Sequence, residues 1–329
     1  MKAITYQKQQ DQFRLDELAV PRLQTDYDVL IKVYAVGLNP VDAKVNLWHA
    51  MVEQMDDQFV GGLDVSGEIC AVGSKVTGWK VGDRVLYHGN MRRHHGGFAE
   101  YALQDARTLV THPAVDPVQA AATPCAGWTA YRALVDKLNI AERKNLFVAG
   151  GAGGVGGFAI QLARYFGIDT IVATASAANH DYLRSLGATH PLDYRQSNLL
   201  ERVLQVAGPE GMEASLDAVG GANAALAADV LGYEGHMVEL VDTINGQAFS
   251  DAFGKGLSFH QLSLGSGHVN GEHGRNTIVQ AGKAFSSLLE AGQIICPRLQ
   301  VIELSDIGDA LMEMRQQRTV GKIVATISG

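Results

Sequence analysis

The stretch Phe147-Val148-Ala149-Gly150-Gly151-Ala152-Gly153-Gly154-Val155-Gly156 decides the reading of this chain. Its apolar start, Leu146 to Ala149, suits a fully buried strand. The run Val155 to Phe166 after it has the spacing of an amphipathic helix. Between them Gly151, Gly153 and Gly156 satisfy G-x-G-x-x-G. Gly151 allows the tight turn, Gly153 lets the backbone approach a diphosphate, and Gly156 lets helix and strand pack closely. The free amides and positive end of the helix then seat the anion. The spacing alone is a weak signal, but a strand before it and a helix after it make it a dinucleotide-binding turn. The residues expected against the cofactor there are Gly151, Ala152, Gly153, Gly154, Val155 and Gly156.

The end of the next strand chooses the dinucleotide. NAD-binding sheets place Asp or Glu there, ~20 residues on, to hold the ribose hydroxyls. Here Thr170-Ile171-Val172-Ala173-Thr174 runs into Ala175-Ser176-Ala177-Ala178-Asn179, with no carboxylate. A carboxylate would repel a 2′-phosphate, whereas Ser176 and Asn179 can donate hydrogen bonds to one. NADP(H) is therefore the expected cofactor, although no Arg or Lys stands in this turn as a positive clamp.

Outward from the turn, strands and helices alternate. His180–Leu186 reads as helix, and 214–219, 237–240 and 259–264 read as strands. Such alternation predicts a doubly wound parallel sheet. Pro117 to Leu138 is Ala-rich with helical spacing. The first 120 residues or so read instead as a β-rich, barrel-like domain with strands at 29–36, 65–73, 81–86 and 98–103. Beyond Gly271 come helix 277–290, strand 299–302, helix 305–316 with Ser305 as its N-cap, and a last strand at 321–327. This tail either finishes the second domain or returns to the first.

Composition bounds the function. The 329 residues are enough for two cores, and 47% hydrophobic with 19% charged is ordinary for a globular enzyme. The formal charge of −8 and the absence of any Lys/Arg-rich run argue against nucleic acid as a partner. Three widely spaced cysteines, Cys70, Cys125 and Cys296, make neither a disulfide framework nor a metal knuckle. No apolar run reaches the ~18 residues a membrane span needs, and the start Met1-Lys2-Ala3-Ile4-Thr5-Tyr6 lacks signal-peptide character. A soluble, cytoplasmic protein is expected.

Several segments in fixed order carry a family resemblance. They are Gly37-Leu38-Asn39-Pro40-Val41-Asp42, Gly62-Leu63-Asp64-Val65-Ser66-Gly67, Val81-Gly82-Asp83-Arg84-Val85, Gly97-Phe98-Ala99-Glu100-Tyr101 and Gly127-Trp128-Thr129-Ala130-Tyr131. The glycine turn, Leu186-Gly187-Ala188, Asp193-Tyr194-Arg195 and Gly321-Lys322-Ile323-Val324 complete the set. Together they resemble the zinc-independent quinone oxidoreductase-like group of the medium-chain dehydrogenase/reductase superfamily, nearly end to end. The resemblance implies a Rossmann sheet inserted into a discontinuous, β-rich, GroES-like catalytic domain. On that basis residues 1–122 and 271–329 form the catalytic domain and 123–270 the NADP(H)-binding domain. It also implies that Ser176 and Tyr194 lie near the 2′-phosphate, that Leu240, Val241, Leu264 and Gly265 flank the nicotinamide, and that Lys322 reaches the cofactor or anchors the return strand. Relatives of this group dimerise with two-fold symmetry, so a homodimer is implied.

The resemblance also frames the metal question. The positions matching the zinc enzymes' first Cys and His are Asn39 and Leu63. Cys125 falls on the second Cys position, and Asp64 where those enzymes carry a neighbouring carboxylate. A catalytic zinc needs three protein ligands, so no metal is expected. Without a strong Lewis acid, reduction of an electrophilic acceptor is easier than oxidation of an alcohol. The expected reaction is hydride transfer from NADPH to a quinone or an α,β-unsaturated carbonyl. Asn39, Asp42 and Lys44 are the catalytic candidates: Asn39 as an N–H donor, Asp42 as a helix cap or site organiser, Lys44 as a donor or a solvated charge. Trp48 and Met51 are candidates for an apolar substrate wall. The competing readings are a non-catalytic NADPH-binding sensor or structural relative and, less well supported, a zinc alcohol dehydrogenase.

Overall fold

A computed structural model describes residues 1–327, apart from the side chain of Ala248; Ser328 and Gly329, the end of the expected 271–329 segment, lie outside the described residues. Contacts divide the chain into one unit made of Met1–Trp128 with Leu264–Gly329, and another made of Thr129–Ser263. The boundaries expected from sequence stand at 122/123 and 270/271.

The Thr129–Ser263 unit is built on six parallel strands. Their spatial order is His190–Asp193, Thr170–Ala175, Asn145–Ala149, Met212–Asp217, Leu231–Glu239 and Ser258–Gln261. That is the doubly wound order, with the sheet growing both ways from the strand that feeds the glycine turn. Leu146, Phe147, Val148 and Ala149 are all fully buried, as a strand covered on both faces requires. Helix Gly154–Tyr165 follows at once and buries Phe158, Ile160 and Leu162.

The other unit carries a seven-stranded sheet. Asp28–Leu38 lies at its centre, antiparallel to Asp64–Val72, to Tyr101–Asp105 and to the tail strand Lys322–Thr326. The tail thus returns to the first unit, with Ile323 opposite Leu38 and Val324 opposite Gly37. Gly37 has to be glycine: a Cβ there would sit 2.2 Å from the carbonyl oxygen of Ala121, in the helix Pro117–Ala121.

Several elements differ from the sequence reading for identifiable reasons. The expected strand 98–103 is Tyr101–Asp105, because Phe98 and Ala99 turn to the N-terminal strand, where the Ile4 amide donates to Phe98 O at 2.7 Å. The expected strand 81–86 is Arg84–His88, since Gly82 makes a turn at φ +91°. The Ala-rich segment is not one helix. After Pro117–Ala121 it widens into π-helical turns at Pro124–Trp128 and Arg132–Lys137. Proline has no amide to keep an α ladder running, and the Cys125 amide leaves it for Asp64 Oδ1 at 2.8 Å. Ser305 is not an N-cap. Glu303 and Asp306 form a reciprocal capping box, and the helix Ile307–Met314 starts after it.

Replacing Gly37 by Ala should cost about 1–3 kcal/mol, the usual penalty of overpacking. The measurement is thermal or urea denaturation; an unchanged midpoint would show that the strand and the Pro117–Ala121 helix are not in this close contact.

Candidate active site

In the Thr129–Ser263 unit the glycine turn forms an open cradle. The Gly151 amide donates to Thr174 O at 2.8 Å and that of Gly150 to Thr174 Oγ1 at 3.2 Å, tying the turn to the next strand. A Cβ on Gly156 would lie 2.3 Å from Gly150 O, so helix and turn meet only through glycine there. A Cβ on Gly153 would meet one atom, at 3.5 Å. Ala152 to Val155 are half-buried, and the first amides of a helix have no intrahelical acceptor. The arrangement fits a diphosphate.

At the neighbouring strand ends, Asn179 Nδ2 donates to Ser176 Oγ at 3.0 Å. The Ala177 amide donates to Asp193 Oδ2, which also accepts from Arg195 Nη2 at 2.6 Å. Arg195 holds the Asp193 carboxyl well below the usual carboxylate range, and its guanidinium lies 5.8 Å from the exposed ring of Tyr194. Sequence reasoning found no cation in the Ser176 turn; strand pairing brings Arg195 to the same edge, as Asp193 is in register with Ala175.

Two buried carboxyls at adjacent strand ends were also missed. Asp217 and Glu239 are register partners. Asp217 Oδ1 accepts the amides of Val219 and Gly220, and Glu239 Oε1 those of Val241 and Asp242. These bonds shape the loop of Leu240 and Val241. Burial, then the Asp217 charge against the opposing amides, pushes Glu239 up to about 7. Among the described residues, Asp217 Oδ2 and Glu239 Oε2 are buried without a hydrogen-bond partner.

In the unit that contains both termini, a second cluster gathers Asn39, Asp42, Asp64, Cys125 and Lys322. Asn39 caps the short helix Pro40–Ala43, and its amide donates to Asp42 Oδ2 at 3.0 Å. Asn39 Nδ2 donates to Asp64 Oδ2 at 3.0 Å and to Asp42 Oδ2 at 3.3 Å, so both side-chain hydrogens are committed within the cluster. Lys322, 4% exposed, donates from Nζ to Asn39 Oδ1 at 2.5 Å and to Leu38 O at 3.0 Å, and lies 3.6 Å from Asp64 Oδ2. Its ammonium therefore sits beside Asn39 in this unit. Burial, and next the Asp64 charge, raises Asp42 to about 8; burial raises Asp64 to about 6 against the pull of Lys322.

Asp42 lines a pocket together with Trp48, Phe59, Leu63, Tyr87 and His94. Trp48 is buried there, donating from Nε1 to Val41 O at 2.6 Å, with its ring edge-on to Phe59. Met51 is exposed, and Lys44 is half-buried at the helix end. Leu264 is buried, and Gly265 would bring a Cβ within 3.6 Å of His88, whose ring stacks on His268.

Residues 25–114 match the family described as the alcohol dehydrogenase GroES-like domain, and residues 154–267 the one described as zinc-binding dehydrogenase. The chain is 38% identical over 190 residues to a 2-methylene-furan-3-one reductase of Solanum lycopersicum, which is 55% of this chain and 48% of that protein. It is 30% identical over 223 residues to a quinone oxidoreductase of Homo sapiens, 68% of this chain and 66% of that one. The chain thus spans about half to two thirds of the length of these relatives. The structure of a quinone oxidoreductase from Coxiella burnetii superimposes with a TM-score of 0.85 at 26% identity, covering 100% of this chain and 99% of the other. The chain belongs to the medium-chain dehydrogenase/reductase superfamily, in its quinone oxidoreductase-like group, with a GroES-like and a Rossmann-type domain.

A zinc-binding family raises the question of zinc. Asp64, His88 and Cys125 offer ligand atoms within 4.8 Å of one another. They do not fit a resident zinc. The ammonium of Lys322 already stands beside Asp64, 3.6 Å from its Oδ2. Burial and the Asp64 charge also hold the Cys125 thiol well above its usual range, in the non-ligating form.

Glu239 yields a test. Its folded pKa lies above the unfolded value, so the folded state keeps a proton that the unfolded state releases. That contribution is present below about pH 4.5 and is lost as pH rises through about 7. Glu239→Gln should therefore flatten the fall of stability between pH 5 and pH 8, gaining about 1–2 kcal/mol at the alkaline end. Parallel thermal melts of both proteins measure it; identical pH slopes would contradict the assignment.

Proposed function

We propose that this protein is a zinc-independent, NADPH-dependent reductase that passes hydride to a quinone or an α,β-unsaturated carbonyl. The observation that carries the reading is the Asn39–Asp42–Asp64–Lys322 cluster beside the pocket that Trp48, Phe59 and Leu63 help line. It contains a buried carboxyl, Asp42, that burial and the Asp64 charge favour in its protonated form, and an ammonium, Lys322, beside Asp64.

Bound NADPH supplies the hydride, from C4 of its nicotinamide. The amides of the first helical turn, Gly154 to Gly156, hold the diphosphate, and Gly151, Ala152 and Gly153 shape the turn that brings it there. Ser176 and Asn179 donate to the 2′-phosphate, with Tyr194 against it and Arg195 as the cation. Leu240, Val241, Leu264 and Gly265 flank the nicotinamide. Trp48, Phe59 and Leu63 present an apolar wall that excludes water and orients the acceptor ring or alkene. Protonated Asp42, aimed into that pocket, provides the proton that a reduced acceptor takes up. Asn39, its own hydrogens engaged, is a positioning residue: it fixes Asp42 and Asp64 relative to Lys322. The reading extends to a cytoplasmic homodimer, which light scattering on the purified chain checks for mass.

NADPH oxidation should appear with a panel of quinones and enones. Asp42→Asn should lower kcat by about 10²-fold or more with little change in KM for the acceptor. Arg195→Ala should raise KM for NADPH about tenfold and leave that for NADH unchanged. Tight NADPH binding with no turnover on any acceptor would favour the non-catalytic relative and overturn the proposal.

A further inference from the structure

Asp217 and Glu239 end neighbouring parallel strands as register partners, so their side chains leave the same face of the sheet. Asp217 is 0% and Glu239 1% exposed. Each carboxyl is divided in the same way. One oxygen, Asp217 Oδ1 or Glu239 Oε1, accepts two backbone amides of the loop that follows its strand. The other, Asp217 Oδ2 or Glu239 Oε2, is buried and, among the described residues, takes no hydrogen bond. With both carboxyls ionised, two like charges would lie side by side, each with a bare oxygen in a place closed to water. One proton between the bare oxygens removes the repulsion and satisfies both, because a protonated carboxyl donates where a carboxylate accepts. We propose that Asp217 and Glu239 share a single proton, and that this proton holds their two loops in the shape that binds the nicotinamide cofactor. The two are then positioning residues, and the proposal rests on the NADPH reading above.

The two loops carry the effect to the cofactor. The Gly221 amide donates to Asp242 Oδ2 at 2.7 Å and the Leu240 amide to Asp217 O at 3.2 Å, so each loop is tied to the other. The first reaches the diphosphate turn: a Cβ on Gly150 would lie 2.6 Å from Val219 Cγ2. The second carries Leu240 and Val241, assigned above to the nicotinamide. The charged groups that face Glu239 are carboxyls, Asp217 on the neighbouring strand and Asp242 in its own loop. The next strand opposes it with neutral Gln261. Helix Ala222–Asp229 brings only Asp229, at its far end and bonded to Ser250. His236 and His260 pair on the opposite face, with Arg143 and Lys137 near them. Burial, then the Asp217 charge, raises Glu239 to about 7. Below that pH the proton is in place. As pH rises through it the proton leaves to solvent, the two carboxylates repel, and the loops lose the shape that binds NADPH.

The test is the NADPH dissociation constant, read by fluorescence across neutral pH for the natural protein, Glu239→Gln and Asp217→Asn. Either amide keeps an oxygen for the loop and replaces the shared proton by an N–H that does not titrate. Where only the protonated pair is competent, the apparent constant scales inversely with its population. The ratio of the natural constant to that of Glu239→Gln should therefore grow about tenfold from pH 6 to pH 8. Titration of the cofactor's own phosphate cancels in that ratio. At pH 8, binding should take up about one proton more per chain in the natural protein than in Glu239→Gln, by calorimetry in two buffers. A ratio constant with pH, in proteins that bind NADPH, overturns this proposal alone. NADPH binding by no form at any pH overturns the cofactor reading and the proposal with it. Should Glu239→Gln fail to fold, Asp217→Asn takes its place in the ratio. Should neither fold, proton uptake by the natural protein decides: about one proton at pH 8 supports the shared proton, and none refutes it.

Discussion

The antiparallel register between the tail strand and Asp28–Leu38 is the constraint on which the GroES-like unit turns. With Ile323 opposite Leu38, the preceding residue of the tail, Lys322, falls beside Asn39, 283 positions away along the chain. Because side chains alternate across a strand, a one-residue slip would send the ammonium to the opposite face. The cluster would then hold two carboxyls and no cation. Gly37 secures the same strand from its other neighbour by letting the Pro117–Ala121 helix approach to backbone contact.

Two acids and one base in a space without water cannot all be charged at equal cost. The charge of Lys322 lowers both carboxyls, but Asp64 also takes the Cys125 and Asn39 donors, whereas Asp42 takes its hydrogen bonds from Asn39 and faces the charge of Asp64. The two carboxyls are pushed apart in acidity, and the proposed proton-donor role of Asp42 rests on that separation. At the strand ends of the Rossmann-type domain burial likewise raises Glu239, and its bonds to the Val241 and Asp242 amides shape the loop expected at the nicotinamide.

What was legible in the sequence was what local physics decides. The glycine turn, its flanking strand and helix, and the alternation that makes a parallel sheet are all encoded within a few tens of residues. Asn39 and Asp42 were readable from Gly37-Leu38-Asn39-Pro40-Val41-Asp42. What pairs with them was not, because Asp64, Cys125 and Lys322 arrive through three separate parts of the chain. The donor role expected for Asn39 assumed a free amide, which those partners consume. Arg195 was invisible beside Ser176 for the same reason, since only the parallel pairing of two strands joins them. The Ala-rich segment shows the opposite failure: helical propensity is strong, yet Pro124 and the demand of Asp64 for a donor widen the helix into π turns.

A buried, protonated lysine, Lys322, holds this cluster together. Nitrogen-15 NMR selective for side-chain ammonium groups measures that directly. Lys322 should give an ammonium resonance slow to exchange with water at neutral pH, absent in Lys322→Arg, beside the fast-exchanging surface lysines. If every lysine ammonium exchanges as fast as a surface one, or if the Lys322 nitrogen is neutral, no ammonium bridges Asn39 and Asp64 and the assignment is wrong.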